Sequence, residues 1–292
     1  MANFDKLISD NSIHDVKIDT VLHETYTEEE IRDVNNITVT IPDKQTPIVV
    51  FFGSPASGKT LTLLRMIRYL EQGHHHVVPE AIFRPQTDKH YVKMCAGLKD
   101  MAYSQYAPGG TDIISFMLVK VIDQANNRTL CQILEAPGEH YFDGTSELAF
   151  PTYINTICTA PNRKIWVFFV EQDWGNDQSV RDLYAKKIRS MQGLISPNDR
   201  VVFLFNKSDK KRHQYKSNGE PNKQVFFTNI QQQYPGIFER YQNTGLAKLM
   251  FGPYNFKTVC FSSGVFNRTN DGKEVWTPEK DWYCQELWNA IR

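Results

Sequence analysis

The most constraining stretch of this chain is Gly53-Ser54-Pro55-Ala56-Ser57-Gly58-Lys59-Thr60, which fits the spacing G-x-x-x-x-G-K-[ST] at every fixed position. Before it runs Ile48-Val49-Val50-Phe51-Phe52, an unbroken apolar series suited to a strand buried on both faces. After it, Leu61, Leu64, Met66, Ile67 and Leu70 recur at helical spacing, and Gly73 closes the run. A strand, a glycine turn and a helix in that order make an anion cradle. Gly53 and Gly58 let the backbone curl so that successive N–H groups face one anion. The helix beginning near Lys59 adds the positive end of its dipole. The Lys59 ammonium is placed to bridge outer phosphates, and the Thr60 hydroxyl to ligate a Mg2+ that those phosphates also hold. Residues 53–60 are therefore all candidates for contact with a polyphosphate.

The rest of the chain supplies a sheet for that loop. Residues 113–122 and 129–134 read as two strands joined by a turn at 123–128, hence a hairpin. Residues 164–170 and 200–205 read as two more buried strands, with a helix over 177–192 between them, capped by Asp177 and closed by Gly193. Residues 258–261 form a last short strand. Thr277-Pro278 reads as a helix start leading to Arg292. Strands alternating with helices predict an α/β, three-layer architecture around a mostly parallel sheet. Residues 1–46 are polar and acid-rich and read as an N-terminal extension, with a helix start at Thr27-Glu28-Glu29-Glu30 and a possible strand at 36–41. Residues 47–292 read as one domain with insertions and a closing helix. Residues 81–110 read as irregular, and their tyrosine-rich part, 91–106, is either a partner surface or a loop packed on its own domain. His74-His75-His76 reads as an exposed loop, because three consecutive side chains do not converge on one ion.

Two later segments name a base. Asn206-Lys207-Ser208-Asp209 follows a buried run as N-K-x-D. The Asp209 carboxylate there accepts the N1–H and N2–H pair of guanine, which adenine lacks. Asn206 can tie its loop to others, and the Lys207 stem can cover the base plane. Ser262-Ser263-Gly264 ends the last strand with small residues that let backbone N–H groups approach guanine O6. Leu134-Glu135-Ala136-Pro137-Gly138-Glu139 ends the hairpin. Glu135 there can hold Mg2+ through water, and the Gly138 N–H can contact a γ-phosphate, a contact that exists only with the triphosphate.

In that order these motifs resemble the Ras-like GTPase domain of the translation-factor-related P-loop class, over roughly residues 48–264. The resemblance implies a P-loop NTPase sheet with one antiparallel strand, GTP or GDP as ligand, Mg2+ as cofactor, and GTP hydrolysis by a switch that a protein effector reads. This chain departs from the pattern at three places. Glu135 stands where the family has aspartate. Glu139 stands where many members carry the glutamine that positions water, and His140 beside it is the alternative. Ser263-Gly264 replaces an alanine-lysine pair. The resemblance also calls for a first-switch threonine on the metal. Thr111 fits best after Gly109-Gly110, with Thr87 as the alternative; no arginine is assigned as a finger from sequence, with Arg84 or an arginine donated by a partner left open. The catalytic set is then Lys59, Thr111, Glu139 and His140, and the metal set Thr60, Thr111 and Glu135.

Two other readings stay open. One is a module that binds nucleotide and barely hydrolyses it, favoured by Glu135 and Glu139. The other is a P-loop ATPase or nucleotide kinase, for which Arg65 and Arg68 are poor lid residues because they read as facing solvent or the sheet. Lys+Arg and Asp+Glu both number 33, so nothing suggests general capture of nucleic acid. Five scattered cysteines without C-x-x-C spacing argue for reduced thiols, with Cys131 and Cys260 in the core. No apolar run approaches a membrane span, and the first residues lack a secretory h-region, so a cytoplasmic location is expected. Trp174, Trp282 and Trp288 read as core packing.

Overall fold

The computed structural model describes residues 28–106, 116–142, 150–174, 177–269 and 274–292. Its centre is a seven-stranded sheet built from β1 (Ile48–Phe52), β2 (His75–Pro79), β3 (Met117–Asp123), β4 (Arg128–Glu135), β5 (Lys164–Glu171), β6 (Arg200–Asn206) and β7 (Lys257–Cys260), in the order β2-β3-β4-β1-β5-β6-β7. β1 pairs parallel with β4 and β5, β5 with β6, and β6 with β7. β3 pairs antiparallel with both β4 and β2. Within this sheet only β3 therefore runs against the rest, the one antiparallel strand that the resemblance to Ras-like GTPase domains implies. All five residues of β1 are buried, and β5 and β6 are buried almost throughout, so both sheet faces are covered. This is why those three strands read as continuous apolar runs and not as alternations.

The helices are α1 (Glu28–Arg32), α2 (Lys59–Gln72), α3 (Lys89–Tyr103), α4 (Gly138–Tyr141), α5 (Thr152–Thr159), α6 (Gln178–Ser190), α7 (Lys223–Gln233), α8 (Gly245–Phe251) and α9 (Trp282–Ile291). α2 follows the glycine turn and packs against both α3 and α9. α6 begins at Asp177, whose carboxylate accepts from Ser179 N, and runs on into a 3-10 turn at Met191–Leu194. Trp166, Trp276 and Trp288 are buried, and Trp174 and Trp282 pack on the same core. Cys131, Cys260 and Cys284 are buried free thiols. Among the described residues no helix is long and apolar enough to cross a membrane.

Several expectations fail, each for a physical reason. Residues 81–110 are not irregular throughout: α3 occupies fifteen of them. Asp88 caps it by accepting from Tyr91 N at 2.8 Å, and Tyr91, Met94, Leu98 and Ala102 form its buried stripe. The tyrosines divide accordingly. Tyr91 is core and donates to Glu80 O, whereas Tyr103 and Tyr106 are about half exposed. His75 and His76 start an edge strand, with the His75 ring edge-on to Trp288 at 5.3 Å. Residues 37–41 alternate but join no ladder. Ile37 is buried, and Thr40 N donates a single bond to Phe83 O. Thr277 does not cap the last helix. It ends β9 (Glu274–Thr277), which pairs with β8 (Val265–Arg268) in a hairpin, and α9 starts only after Asp281. Arg65 is buried and Arg68 half-buried, and both are held by neighbouring elements. The Arg65 guanidinium is buried against Glu279 O and Asp281, tying α2 to α9. Arg68 donates to the carbonyls of Ala102 and Ser104 and lies over the Trp276 ring at 4.2 Å.

Candidate functional site

The candidate residues gather where the parallel strands end. After Phe52 the chain turns through residues 53–58, with Ala56 at φ 56° and Gly58 at φ 85°. No side chain fits at either glycine. A Cβ on Gly53 would lie 2.8 Å from the Phe169 Cβ, and one on Gly58 would lie 2.5 Å from Asn206 Nδ2. Asn206, the last residue of β6, donates from Nδ2 to Ser57 O at 2.6 Å. Two motifs far apart in sequence are thus locked together.

Lys59 folds back across the turn, donating to Gly53 O at 3.1 Å and Ser54 O at 3.0 Å. Thr60 Oγ1 donates to Glu135 Oε1, so the end of β4 meets the start of α2. Burial pushes the Lys59 ammonium down to about 8, against the pull of Glu135 and Glu139. Burial likewise pushes the Glu135 carboxyl up to about 8, against the Thr60 hydrogen bond and the Lys59 charge. An anion beside Lys59 and a cation beside Glu135 would reverse both shifts.

Three buried polar atoms here have no hydrogen-bond partner among the described residues: Ser57 Oγ, Asn206 Oδ1 and Glu135 Oε2. Such atoms are rare in folded proteins and mark places where something else supplies the partner. Glu135 Oε2 beside the Thr60 hydroxyl is the hard-oxygen set that a small divalent cation takes, with water and phosphate completing its shell. The residues fit Mg2+, and the longer arm of glutamate reaches Thr60 without difficulty.

Gly138 abuts the phosphate loop: a Cβ there would lie 2.3 Å from Pro55 N and 2.5 Å from Ser54 C. Glu139 is exposed. The His140 ring is turned to Tyr153, with Nδ1 and Tyr153 Oη 2.6 Å apart. Burial depresses His140 to about 4, so it is neutral at pH 7. Arg84 is no finger. It is buried, held by both carboxylate oxygens of Glu30 at 2.9 and 2.8 Å, by Asp88 at 2.9 Å and by Thr38 O at 2.8 Å. It fastens the segment before β1 to the body. Thr87 is exposed in the turn leading into α3. Thr111 lies outside the described residues.

At the other end of the site, Ser262 Oγ donates to Asp209 Oδ1 at 2.6 Å, and Ser208 N to Phe261 O at 3.0 Å, so the loops after β6 and β7 face each other. Lys207 takes a left-handed conformation at φ 52°, and its ammonium lies 2.5 Å from Glu171 Oε2 at the end of β5. Ser263 O accepts from Trp276 Nε1 at 3.0 Å. Gly264, at φ 140°, is pressed against Thr277 O, 2.4 Å from where a Cβ would sit. The β8–β9 hairpin thus backs this loop in place of the missing lysine. Sequence reading missed Glu171, Tyr153 and Trp276. Glu171 alone left a trace, as the acid that ends a buried run. The other two act through contacts with no local pattern.

No family profile matches the chain, and no curated protein sequence matches it. Among solved structures the chain is similar to nucleolar GTP-binding protein 1 of Plasmodium falciparum, at 13% identity and TM-score 0.38, over 77% of this chain and 81% of that one. It is also similar to the signal recognition particle receptor SRb-GTP/SRX complex of Chaetomium thermophilum, at 13% identity and TM-score 0.42, over 82% and 96%. A further similarity is to the S. cerevisiae Ski7 GTPase-like domain bound to GTP, at 12% identity and TM-score 0.37, over 82% of this chain and 46% of that one.

Proposed function

We propose that this chain binds a guanine nucleotide together with Mg2+ at the carboxyl ends of β1, β4, β6 and β7, and hydrolyses GTP to GDP and phosphate as a nucleotide-dependent switch. The observation that carries the reading is the pair of bonds joining three distant motifs, Asn206 to Ser57 O and Thr60 to Glu135. They bring a phosphate cradle, a cation-holding carboxylate and the stem of a base-reading loop to one place.

In this reading Lys59 leaves Gly53 O and Ser54 O for the β- and γ-phosphate oxygens, and the main-chain N–H groups of residues 56–60, beyond Pro55, surround the β-phosphate. Thr60 directly and Glu135 through water would hold Mg2+, which would supply positive charge beside the bound phosphates. Asp209 turns from Ser262 to the two donors of the guanine edge, and the hydroxyl is left to water or to the base. Gly138 N–H meets the γ-phosphate, so α4 is the segment whose position depends on nucleotide state and which a protein effector would read. The attacking water lies in line with the γ-phosphate, on the side of Glu139 and His140.

A second reading, a binding module with little turnover, is favoured by the exposed Glu139 carboxylate, which a γ-phosphate repels, and by the engagement of His140 with Tyr153. Single-turnover hydrolysis by the wild type and by Glu139→Gln, with competition between GTP and ATP for a fluorescent nucleotide, separates the readings. Turnover is expected above the buffer rate and faster in Glu139→Gln. Turnover equal to buffer in both proteins removes the enzyme, and equal displacement by ATP removes the guanine assignment.

A further inference from the structure

Among the described residues, the most exposed large apolar side chains sit together on α8, away from the site described above. Leu246, Leu249, Met250 and Phe251 are 70%, 83%, 64% and 74% exposed, whereas no other large apolar residue among those described exceeds 51%. No residue of α8 is buried. The helix stands on a fastened neck: Asn243 N donates to Pro253 O at 2.9 Å, Asn255 N to Tyr241 O at 2.8 Å, and Asn243 Nδ2 to Gly252 O at 2.9 Å. Below the neck, Tyr254 and Phe238 pack on Phe256 at 5.0 and 5.1 Å. The result is a rigid base carrying a convex apolar tip. A seven-residue helix has little stability of its own in water, and four bare apolar side chains add nothing to the fold.

We propose that α8 is a docking finger for an anionic lipid surface. Three features select lipid over a protein groove. At 100° per residue the four apolar side chains span roughly 200° of the helix circumference, whereas a helix seated in a groove shows a stripe of about 100°. A bilayer interface surrounds an inserted tip on all sides. The length of α8, about 10 Å, matches the depth to which interfacial segments sink. The charge is complementary as well. The chain as a whole is neutral, but no Asp or Glu lies between Glu239 and Asp271, while Arg240, Lys248 and Lys257 are exposed. Lys248 is the one charge on α8 itself and can extend its ammonium to headgroups while its stem stays apolar. The finger leads into β7 at Lys257, the end of that strand opposite to the loop bearing Ser262. Docking there leaves the nucleotide end of the sheet turned away from the membrane.

The test is co-sedimentation of the full chain with vesicles of phosphatidylcholine alone, or with about one third phosphatidylserine. The wild type is expected to sediment with the mixed vesicles, less with the neutral ones, and less again at high salt. Leu249→Glu with Phe251→Glu should cut the bound fraction at least about tenfold, and Lys248→Gln a few-fold on mixed vesicles only. Nucleotide affinity should stay unchanged in both variants, which shows that they are folded. Wild-type protein left in the supernatant, or a double variant that sediments like the wild type, overturns the proposal. So does a dimer in analytical ultracentrifugation that Leu249→Glu dissociates without any vesicle binding, because a second copy would then cover the finger.

Discussion

The two halves of the candidate site are held differently. In the phosphate half, polar groups are buried and incomplete: Ser57 Oγ, Asn206 Oδ1 and Glu135 Oε2 have no hydrogen-bond partner among the described residues, and Lys59 rests on two main-chain carbonyls. In the base half, charged groups meet one another: Asp209 takes the Ser262 hydroxyl, and Lys207 is ion-paired with Glu171. A ligand entering the first half gains bonds that none of the described residues supplies. A ligand entering the second only exchanges partners. On the proposed function, the difference would assign affinity to the phosphate half and discrimination to the base half, since an exchange favours only a ligand that offers a matching pair of donors.

The strongest way to break this division is Lys59→Ala. Loss of a buried charge-assisted contact to phosphate should weaken GTP and GDP binding by about 3 kcal/mol, more than a hundredfold, as read by titration with a fluorescent nucleotide. Unchanged affinity would move the binding energy to the base half. Asp209→Ala should act less on affinity and more on choice. The preference for GTP over ATP is expected to fall by about 2 kcal/mol, roughly thirtyfold, in competition binding. An equal loss for both nucleotides would show Asp209 to be structural. The smallest effect concerns pH. His140, beside the phosphate half, is depressed from its usual 6.5 to about 4. The stability tied to its neutral form is complete above pH 6.5 and is lost as the pH falls through about 4. Because the ring is partly exposed, the loss between pH 7 and 5 should be about 1 kcal/mol in urea denaturation of the ligand-free protein. His140→Gln should flatten that dependence. A variant with the same slope would assign the acid sensitivity to another group.

Much of this was legible in the chain itself. The turn at 53–60 was readable because its chemistry is local: two glycines, a lysine and a threonine at fixed offsets between a strand and a helix. The buried strands β1, β5 and β6 were readable because burial on both faces leaves an unbroken apolar run. The helix α3 was harder to see, because its buried stripe of Tyr91, Met94, Leu98 and Ala102 holds a single leucine and the tyrosines suggested surface. The role of Arg84 was left open for a different reason. An arginine near a phosphate site looks the same in sequence whether it is free to reach a ligand or is clamped by Glu30, 54 residues earlier.

The sequence by itself determined the phosphate turn, the alternation of strands and helices, and the order in which the N-K-x-D and strand-end loops follow, because each depends on residues within a few positions of one another. Only the tertiary structure decided that Asn206 closes on Ser57, that Thr60 finds Glu135, that Lys207 is held by Glu171, and that Trp276 backs the Ser263 loop. Those contacts span from 13 to 149 positions. A bond across such a distance leaves no periodicity in the chain; it exists only once the sheet has set the ends of its strands side by side.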